Sequence, residues 1–231
     1  DIDTVNKYLE ELNEYSDKTI YSFSDMTSSI GKFTNAGVDL DKAVMAIKGI
    51  SSEAALSGAN AQQASNAMYN FAQALSSGAV KLIDWKSIET ANMATKEFKE
   101  ELLKTAESLG TVVKTENGYL TKTAQAAGKT DDMFDAVSHF NDSLKDEWMT
   151  SEVLVETLSR YADETSDIGS RAMAAAQEVT TYSKMMDALR EQVGSGWSQT
   201  FEILFGNLEE AKVLWTNVKA KIGRASCRER V

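Results

Sequence analysis

Proline is absent from the 231-residue sequence, and cysteine and histidine each occur once. Because proline is the commonest interruption of a helix, its absence favours long helices that are joined at glycines. One cysteine cannot form a disulfide framework, and one histidine without further histidine or cysteine ligands cannot anchor the usual zinc site. These absences argue against a disulfide-stabilised domain and against a zinc centre.

Basic clusters and long apolar runs are also missing from residues 1–221. The sequence contains 35 acidic and 24 basic residues, which gives a net charge of −11. This balance argues against nonspecific binding to nucleic acid or to an anionic membrane, because both favour lysine and arginine clusters. Charged residues such as Lys48, Glu53 and Lys81 interrupt every apolar stretch before it reaches the roughly 20 residues of a membrane span. We therefore expect neither nucleic-acid binding nor a membrane span.

The last ten residues, 222–231, differ from the rest of the chain. Their sequence, IGRASCRERV, is rich in arginine, lacks helical periodicity and resembles the in-frame translation of a common sequencing adapter. We expect this segment, which contains the only cysteine, not to be native, and we exclude it from the fold. The first residue is Asp1 and not methionine, so we also expect the chain to be cut from a longer reading frame.

Residues 37–82 combine helical periodicity with many small side chains. Asp39 and Asn60 stand where the N-caps of two helices would be, each before an apolar pattern with helical spacing. Because alanine and glycine let helix backbones approach closely, we predict that the second helix packs against the first, which covers residues 41–56. The alanines predicted to face the neighbouring helix are Ala61, Ala64, Ala67 and Ala74.

Similar patterns predict most of the remaining elements. Apolar residues at helical spacing predict further helices near residues 3–14, 18–33, 95–109, 131–148, 151–161, 166–192 and 197–220, and a short segment at 82–88. Two β-prone arms predict a β-hairpin with a tight turn at Asn117-Gly118. The polar stretch 124–130 is the best candidate for a loop.

The expected fold class is all-α, a multi-helix bundle with one small β-hairpin near residues 111–123. We expect an N-terminal helical bundle over residues 1–110, the hairpin and a loop over 111–129, and a C-terminal helical segment over 130–221.

Side-chain patterns typical of catalysis are not found. We expect His139 to be an ordinary surface or boundary histidine. The adjacent carboxylates Asp131-Asp132 and Glu209-Glu210 are expected in the first turns of helices, where negative charge is favourable. The stretch Gly194-Ser195-Gly196 lacks the lysine of a phosphate-binding loop. We therefore predict no catalytic, cofactor-binding or metal-binding residues, no cofactor and no enzymatic activity.

Aromatic residues and methionines are expected mainly in the core. The four tryptophans are Trp85, Trp148, Trp197 and Trp215. Core packing is their expected role, and anchoring of a partner is the alternative, because tryptophan is enriched at interface hot spots. Met185 and Met186 are adjacent and cannot both face one core, so one of them can face another helix or another subunit. Self-association of the chain is therefore left open.

Two stretches resemble the conserved core region of bacteriophage tail tape measure proteins. They are AGVDLDKAVMAIKGISSEAALSGANAQQASNAMYNFAQALSSG, at residues 36–78, and VKLIDWKSIETANMATKEFKEELL, at residues 80–103. Three further segments, 2–37, 140–169 and 195–218, are similar to the same family. With the first two stretches counted as one block, four family-like blocks in the same order make a chance resemblance improbable.

The resemblance implies a structural protein of the virion tail, which scaffolds polymerisation of the tail tube and sets its length. It also implies a host cytoplasmic location during assembly, and three partners: the tail tube protein, tail assembly chaperones and distal tail proteins. The glycine breaks and the hairpin favour a compact bundle over a continuous rod. Two alternatives remain: a helical binding or membrane-interacting module of a phage or prophage protein, and a non-catalytic section of a larger cell-wall-degrading tail protein.

Overall fold

The computed structural model describes residues 2–193, with side chains as far as residue 186. The chain divides into two compact units, residues 1–180 and residues 181–231. Of the second unit, only the helical residues 181–193 are described. Several predictions concern residues outside the described part of the chain. They are the helix at 197–220, the stretch Gly194-Ser195-Gly196, the pair Glu209-Glu210, Trp197 and Trp215, and the segment 222–231.

Helices dominate the described part of the chain, and the only sheet within residues 2–193 is a two-stranded antiparallel hairpin. The predicted fold class is thus confirmed. The first six helices are α1 (Ile2–Lys18), α2 (Phe23–Asn35), α3 (Leu40–Ser57), α4 (Ala61–Ser76), α5 (Leu82–Thr90) and α6 (Lys96–Ser108). The elements that follow are β1 (Val112–Thr115), β2 (Gly118–Thr121), α7 (Lys122–Ala126), α8 (Phe140–Ser143), a 3₁₀ turn (Leu144–Asp146), α9 (Ser151–Ala162) and α10 (Asp167–Val193).

Polar side chains explain where several helices begin. Ser22 accepts a hydrogen bond from the backbone N–H three residues further on, so α2 begins at Phe23 and not near residue 18 as predicted. Asn60 caps α4 as predicted, in a reciprocal capping box with Gln63. Thr95 caps α6 through its hydroxyl, which accepts a hydrogen bond from the backbone N–H of Phe98. Local side-chain chemistry therefore sets these boundaries.

Helix α3 lies at the centre of the bundle. Twelve of its 18 residues are buried, and it contacts α1, α2, α4 and α9. Its most extensive contact is with α9. A Cβ atom at Gly49 would overlap the carbonyl oxygen of Leu158 and would lie 2.6 Å from its carbonyl carbon. The absence of a side chain at Gly49 is therefore what lets the two helix backbones approach so closely.

The alanines of α4 lie largely inside the bundle. Ala64, Ala67 and Ala74 are buried and Ala61 is partly buried, so the predicted buried face is confirmed. The predicted neighbour was incomplete, because α4 contacts α2 as well as α3. Ala61 and Ala64 lie beside Met26 of α2. The second neighbour follows from the short connections on both sides of α3, which let three helices share one interface.

The hairpin is confirmed, but its turn was predicted one residue too late. Thr115 pairs with Gly118, so the two loop residues are Glu116 and Asn117. Gly118 is the first residue of β2 and has a φ of +142°. A Cβ atom there would lie 2.6 Å from the carbonyl oxygen of Phe134. Gly118 is therefore required by its own backbone dihedral and by the neighbouring backbone, although it is not one of the two loop residues.

Replacing Gly118 with alanine is expected to lower the free energy of unfolding by about 1 to 3 kcal/mol, since both the backbone dihedral and the contact become strained. Chemical denaturation monitored by circular dichroism measures the change. The same substitution at Gly128, which has a φ of +70° and open space around it, shows the cost of a positive dihedral without a backbone contact. Equal losses at the two glycines would show that the contact with Phe134 costs nothing.

Residues 131–148 do not form the continuous helix that was predicted. Phe134 instead pairs with Tyr119 through two backbone hydrogen bonds of 2.8 and 3.0 Å, which adds an isolated bridge to the hairpin. Residues 136–139 bend, and helix begins only at Phe140. Val137 shares the helical spacing of Phe134 and Phe140, yet it is 72% exposed. The predicted loop at 124–130 is also partly helical, because α7 occupies its first residues.

Candidate functional site

A surface cleft of about 640 Å³ lies between the start of α5 and the segment 131–147. Its apolar floor is made by Leu82, Met133, Phe134 and Leu144. Leu82 is 43% exposed although it is a large apolar residue, and Ile83 beside it is 78% exposed. Exposed apolar residues next to a concave surface are typical of interaction sites. This cleft is the first candidate for a functional site.

Acidic side chains dominate the rim of the cleft. The charged lining residues are Asp131, Asp132, Asp142, Asp146 and Glu147, with Lys81 and Lys145. Lys81 pairs with Glu147 at 3.6 Å and Lys145 pairs with Asp132 at 3.9 Å, and all four side chains are well exposed. Exposed pairs of this kind contribute little to stability. With five carboxylates against two lysines, the rim carries a net negative charge.

The backbone around the cleft has an unusual conformation. His139 and Glu147 have φ values of 56° and 54°, and Asn92 is the third non-glycine residue with a positive φ among those described. Asp135 holds the bend before α8 by accepting the backbone N–H groups of Ser138 and Val137 at 2.7 and 2.6 Å. These two hydrogen bonds lower the pKa of the Asp135 carboxyl. The hydrogen bonds of Asp135 thus hold the bend that precedes the acidic residue of α8.

The structure brings together two groups that the sequence analysis considered separately. His139 is exposed, as expected, and its Nδ1 lies 3.3 Å from Oδ2 of Asp142. Asp131 and Asp132 are exposed and lie outside any helix, so their predicted place in the first turn of a helix was wrong. All of these residues line the same cleft.

A buried carboxyl forms a second candidate, inside the bundle. Glu53 of α3 is 1% exposed and accepts a hydrogen bond from the Thr95 hydroxyl at 3.0 Å. The hydroxyl of Tyr161, on α9, is buried beside it. Burial raises the pKa of Glu53 to about 8, and the hydrogen bond from Thr95 opposes that shift only in part. Glu53 is thus a polar junction of α3, α6 and α9.

Further polar side chains extend along α3. Lys48 pairs with Glu11 of α1 at 2.6 Å, and both groups are at least partly buried. The Tyr15 hydroxyl lies 3.1 Å from the Ser52 hydroxyl. Burial raises the pKa of Tyr15, so this hydroxyl stays protonated. These contacts tie α1 to α3, and none of them is exposed in the way that a binding site requires.

Trp85 and Trp148 are core residues, as predicted, with exposures of 0% and 2%. They belong to a series of ring contacts that joins α6 to the hairpin. The series runs through Phe98, Trp85, Phe140, Trp148, Phe134 and Tyr119, with ring centroids 5.2 to 6.4 Å apart. Phe134 of the cleft floor belongs to this series, so its ring is held in place by contacts with Tyr119 and Trp148.

Metal-binding groups and membrane-spanning helices are not found in the described residues. No three histidine, cysteine, aspartate or glutamate side chains there are arranged to hold a metal ion. None of the described helices combines the length and the apolar character that crossing a bilayer requires.

Comparison with known protein families decides the family. A family model described as tape measure protein matches residues 1–200 of this chain. The chain belongs to the tape measure protein family. No curated protein and no solved structure matches significantly. The resemblance seen in the sequence is thereby confirmed, and the tape measure family is one of structural proteins of the phage tail.

Sequence reasoning missed both candidate sites of this tape measure protein. The cleft forms where residues 81–82 lie beside residues 131–147. A continuous helix over 131–148, as predicted from the sequence, gave no indication of this arrangement. Glu53 was noted only as an interruption of an apolar run. Its position within the small-residue pattern of α3 is the one signal that could have marked it as a buried carboxyl.

Proposed function

We propose that this segment is a folded section of a phage tail tape measure protein that scaffolds tail tube assembly and sets tail length. The match to the tape measure family over residues 1–200 carries this proposal. A helix rises about 1.5 Å per residue, so a long helical chain can measure a tube. Residues 2–180 form a compact bundle in which none of the helices α1 to α9 exceeds 18 residues, so we assign the measuring role to other, extended parts of the full-length protein.

We propose the tail tube protein, the tail assembly chaperones and the distal tail proteins as partners. The protein would meet them in the host cytoplasm during assembly and remain in the virion tail. The segment acts as a non-catalytic structural unit. Its acidic balance and its lack of basic clusters support partners other than nucleic acid.

In-frame deletions in the full-length gene test the measuring role. Removing extended helical stretches outside the segment is expected to shorten the tail by up to about 1.5 Å per residue removed. Tail lengths in electron micrographs of the mutant particles measure the effect. Normal tails of unchanged length would contradict the proposal and would favour a binding module.

A further inference from the structure

The cleft between the start of α5 and residues 131–147 is a surface for which the measuring role gives no use. Eight large apolar residues are exposed among the described side chains. Three of them belong to this region: Leu82 lines the cleft, Ile83 follows it in the chain, and Val137 lies in the bend between two lining residues. Such local concentration of apolar surface is what a docking partner would cover.

We propose that this cleft docks a basic amphipathic segment of another polypeptide, in which one large apolar side chain enters the cleft and flanking lysines or arginines contact the rim. Leu82 and Met133 offer the partly exposed apolar surface, with buried Phe134 behind them. Five carboxylates against two lysines line the cleft. The inference holds whether or not the protein sets tail length.

Charge complementarity identifies the class of partner. The acidic rim would repel nucleic acid and acidic peptides, because like charges at an interface cost free energy. A second copy of this chain fits poorly, since it carries a net charge of −11 and has no basic cluster in residues 1–221. A polypeptide segment with lysine or arginine beside an apolar residue satisfies both the floor and the rim.

The existing ion pairs leave the rim able to accept such a partner. Lys81 and Lys145 each pair with one rim carboxylate, at 3.6 and 3.9 Å. Asp131 is exposed and forms no salt bridge within the described residues, and Asp142 faces only His139. Asp131 and Asp142 are therefore the carboxylates whose charge a basic side chain can neutralise at least cost.

The test uses the 231-residue chain and a designed peptide as the probe. The probe is an amphipathic lysine-leucine helix of about four turns, compared with a glutamate-leucine and a lysine-serine peptide of equal length. Fluorescence anisotropy measures the Kd, and peptide-induced chemical-shift changes locate the contact. The lysine-leucine peptide is expected to bind at least about tenfold more tightly than the other two, and less tightly as ionic strength rises.

Three variants separate specific docking from general attraction to an acidic protein. The double variant Asp131→Lys/Asp142→Lys reverses the net charge of the rim. Leu82→Ser removes the exposed apolar side chain from the floor of the cleft. Each is expected to weaken binding about tenfold. The matched control, Glu10→Lys/Asp17→Lys, makes the same charge change at exposed positions of α1, outside the cleft, and is expected to change the Kd less than about twofold.

Equal losses in the rim and control variants would overturn the proposal, because binding would then depend on net charge alone. Unchanged affinity in Leu82→Ser would overturn it as well. Circular dichroism checks that each variant is folded, and the chemical-shift map on the unmodified chain provides an independent test. Shift changes outside the cleft would contradict the proposed site even if every variant behaved as expected.

Discussion

Replacing Gly49 with alanine is expected to lower the free energy of unfolding by about 3 kcal/mol or more, at the top of the range for overpacked cores. The added Cβ would overlap the carbonyl oxygen of Leu158, which belongs to the backbone of α9. A helix backbone cannot rotate away as a flexible side chain can, so α3 and α9 would have to separate. Urea denaturation of the two proteins measures the difference.

The chain offers a matched control at Gly31. This glycine lies within α2, is exposed, and has no other atom within 4 Å of a Cβ built on it. Gly31→Ala is expected to raise stability by about 0.5 to 1 kcal/mol, because alanine favours the helix. Opposite signs at the two positions would attribute the loss at Gly49 to the contact with α9. A neutral or stabilising Gly49→Ala would contradict the packing of α3 against α9.

Replacing Glu53 with glutamine is expected to remove a pH dependence of stability worth a few kcal/mol, at about 1.4 kcal/mol per pH unit. The pKa of Glu53 is about 8 in the fold, above its ordinary value of 4.5. Between these values the folded state holds a proton that the unfolded state has released, so stability falls as pH rises. The stability that depends on the Glu53 proton is fully lost only at pH values well above 8.

The variant should therefore resemble the wild type near pH 4 and be more stable than it at pH 9. Glutamine keeps the volume of glutamate and can still accept the hydrogen bond from Thr95. Thermal unfolding at a series of pH values measures the difference between the two proteins. Glu116→Gln, at an exposed position in the hairpin loop, controls for the loss of one carboxyl. A constant difference between wild type and Glu53→Gln from pH 4 to 9 would contradict the raised pKa.

Helix positions were predictable where the signals are local. Asn60 and Thr95 cap α4 and α6 because an N-cap side chain bonds to N–H groups only a few residues away. The inward residues of α6, Phe98 and Leu102 among them, follow from the helical period alone. Such features depend on residues within one or two turns, and the sequence contains them directly.

Elements that depend on distant residues were predicted less well. Helical spacing is shared by Met133, Phe134, Val137 and Phe140. Phe134 nevertheless pairs with the backbone of Tyr119, and this pairing forms in place of the helix. Gly49 lies among the small residues of α3, yet nothing in its surroundings in the sequence points to α9, more than 100 residues away. Tertiary contacts of this kind override local propensity.

The candidate sites show the same limit. The charged residues of the rim are evident in the sequence. Their arrangement around Leu82 was not predictable, because it depends on how residues 131–147 pack against α5. A buried position for Glu53 also requires α6 and α9 to cover it. Family membership, in contrast, depends on the order of residues along the chain and was predictable without the fold.

The role of this segment in the tail is tested most directly by an in-frame deletion of residues 2–180 from the full-length gene. If these residues were extended helix along the tube, their loss would shorten the tail by about 270 Å, at 1.5 Å per residue. Because residues 2–180 form a compact unit, we predict failed assembly or a shortening clearly below that value in electron micrographs. Tails that assemble normally and are shorter by the full amount would contradict a folded unit within the tape measure protein.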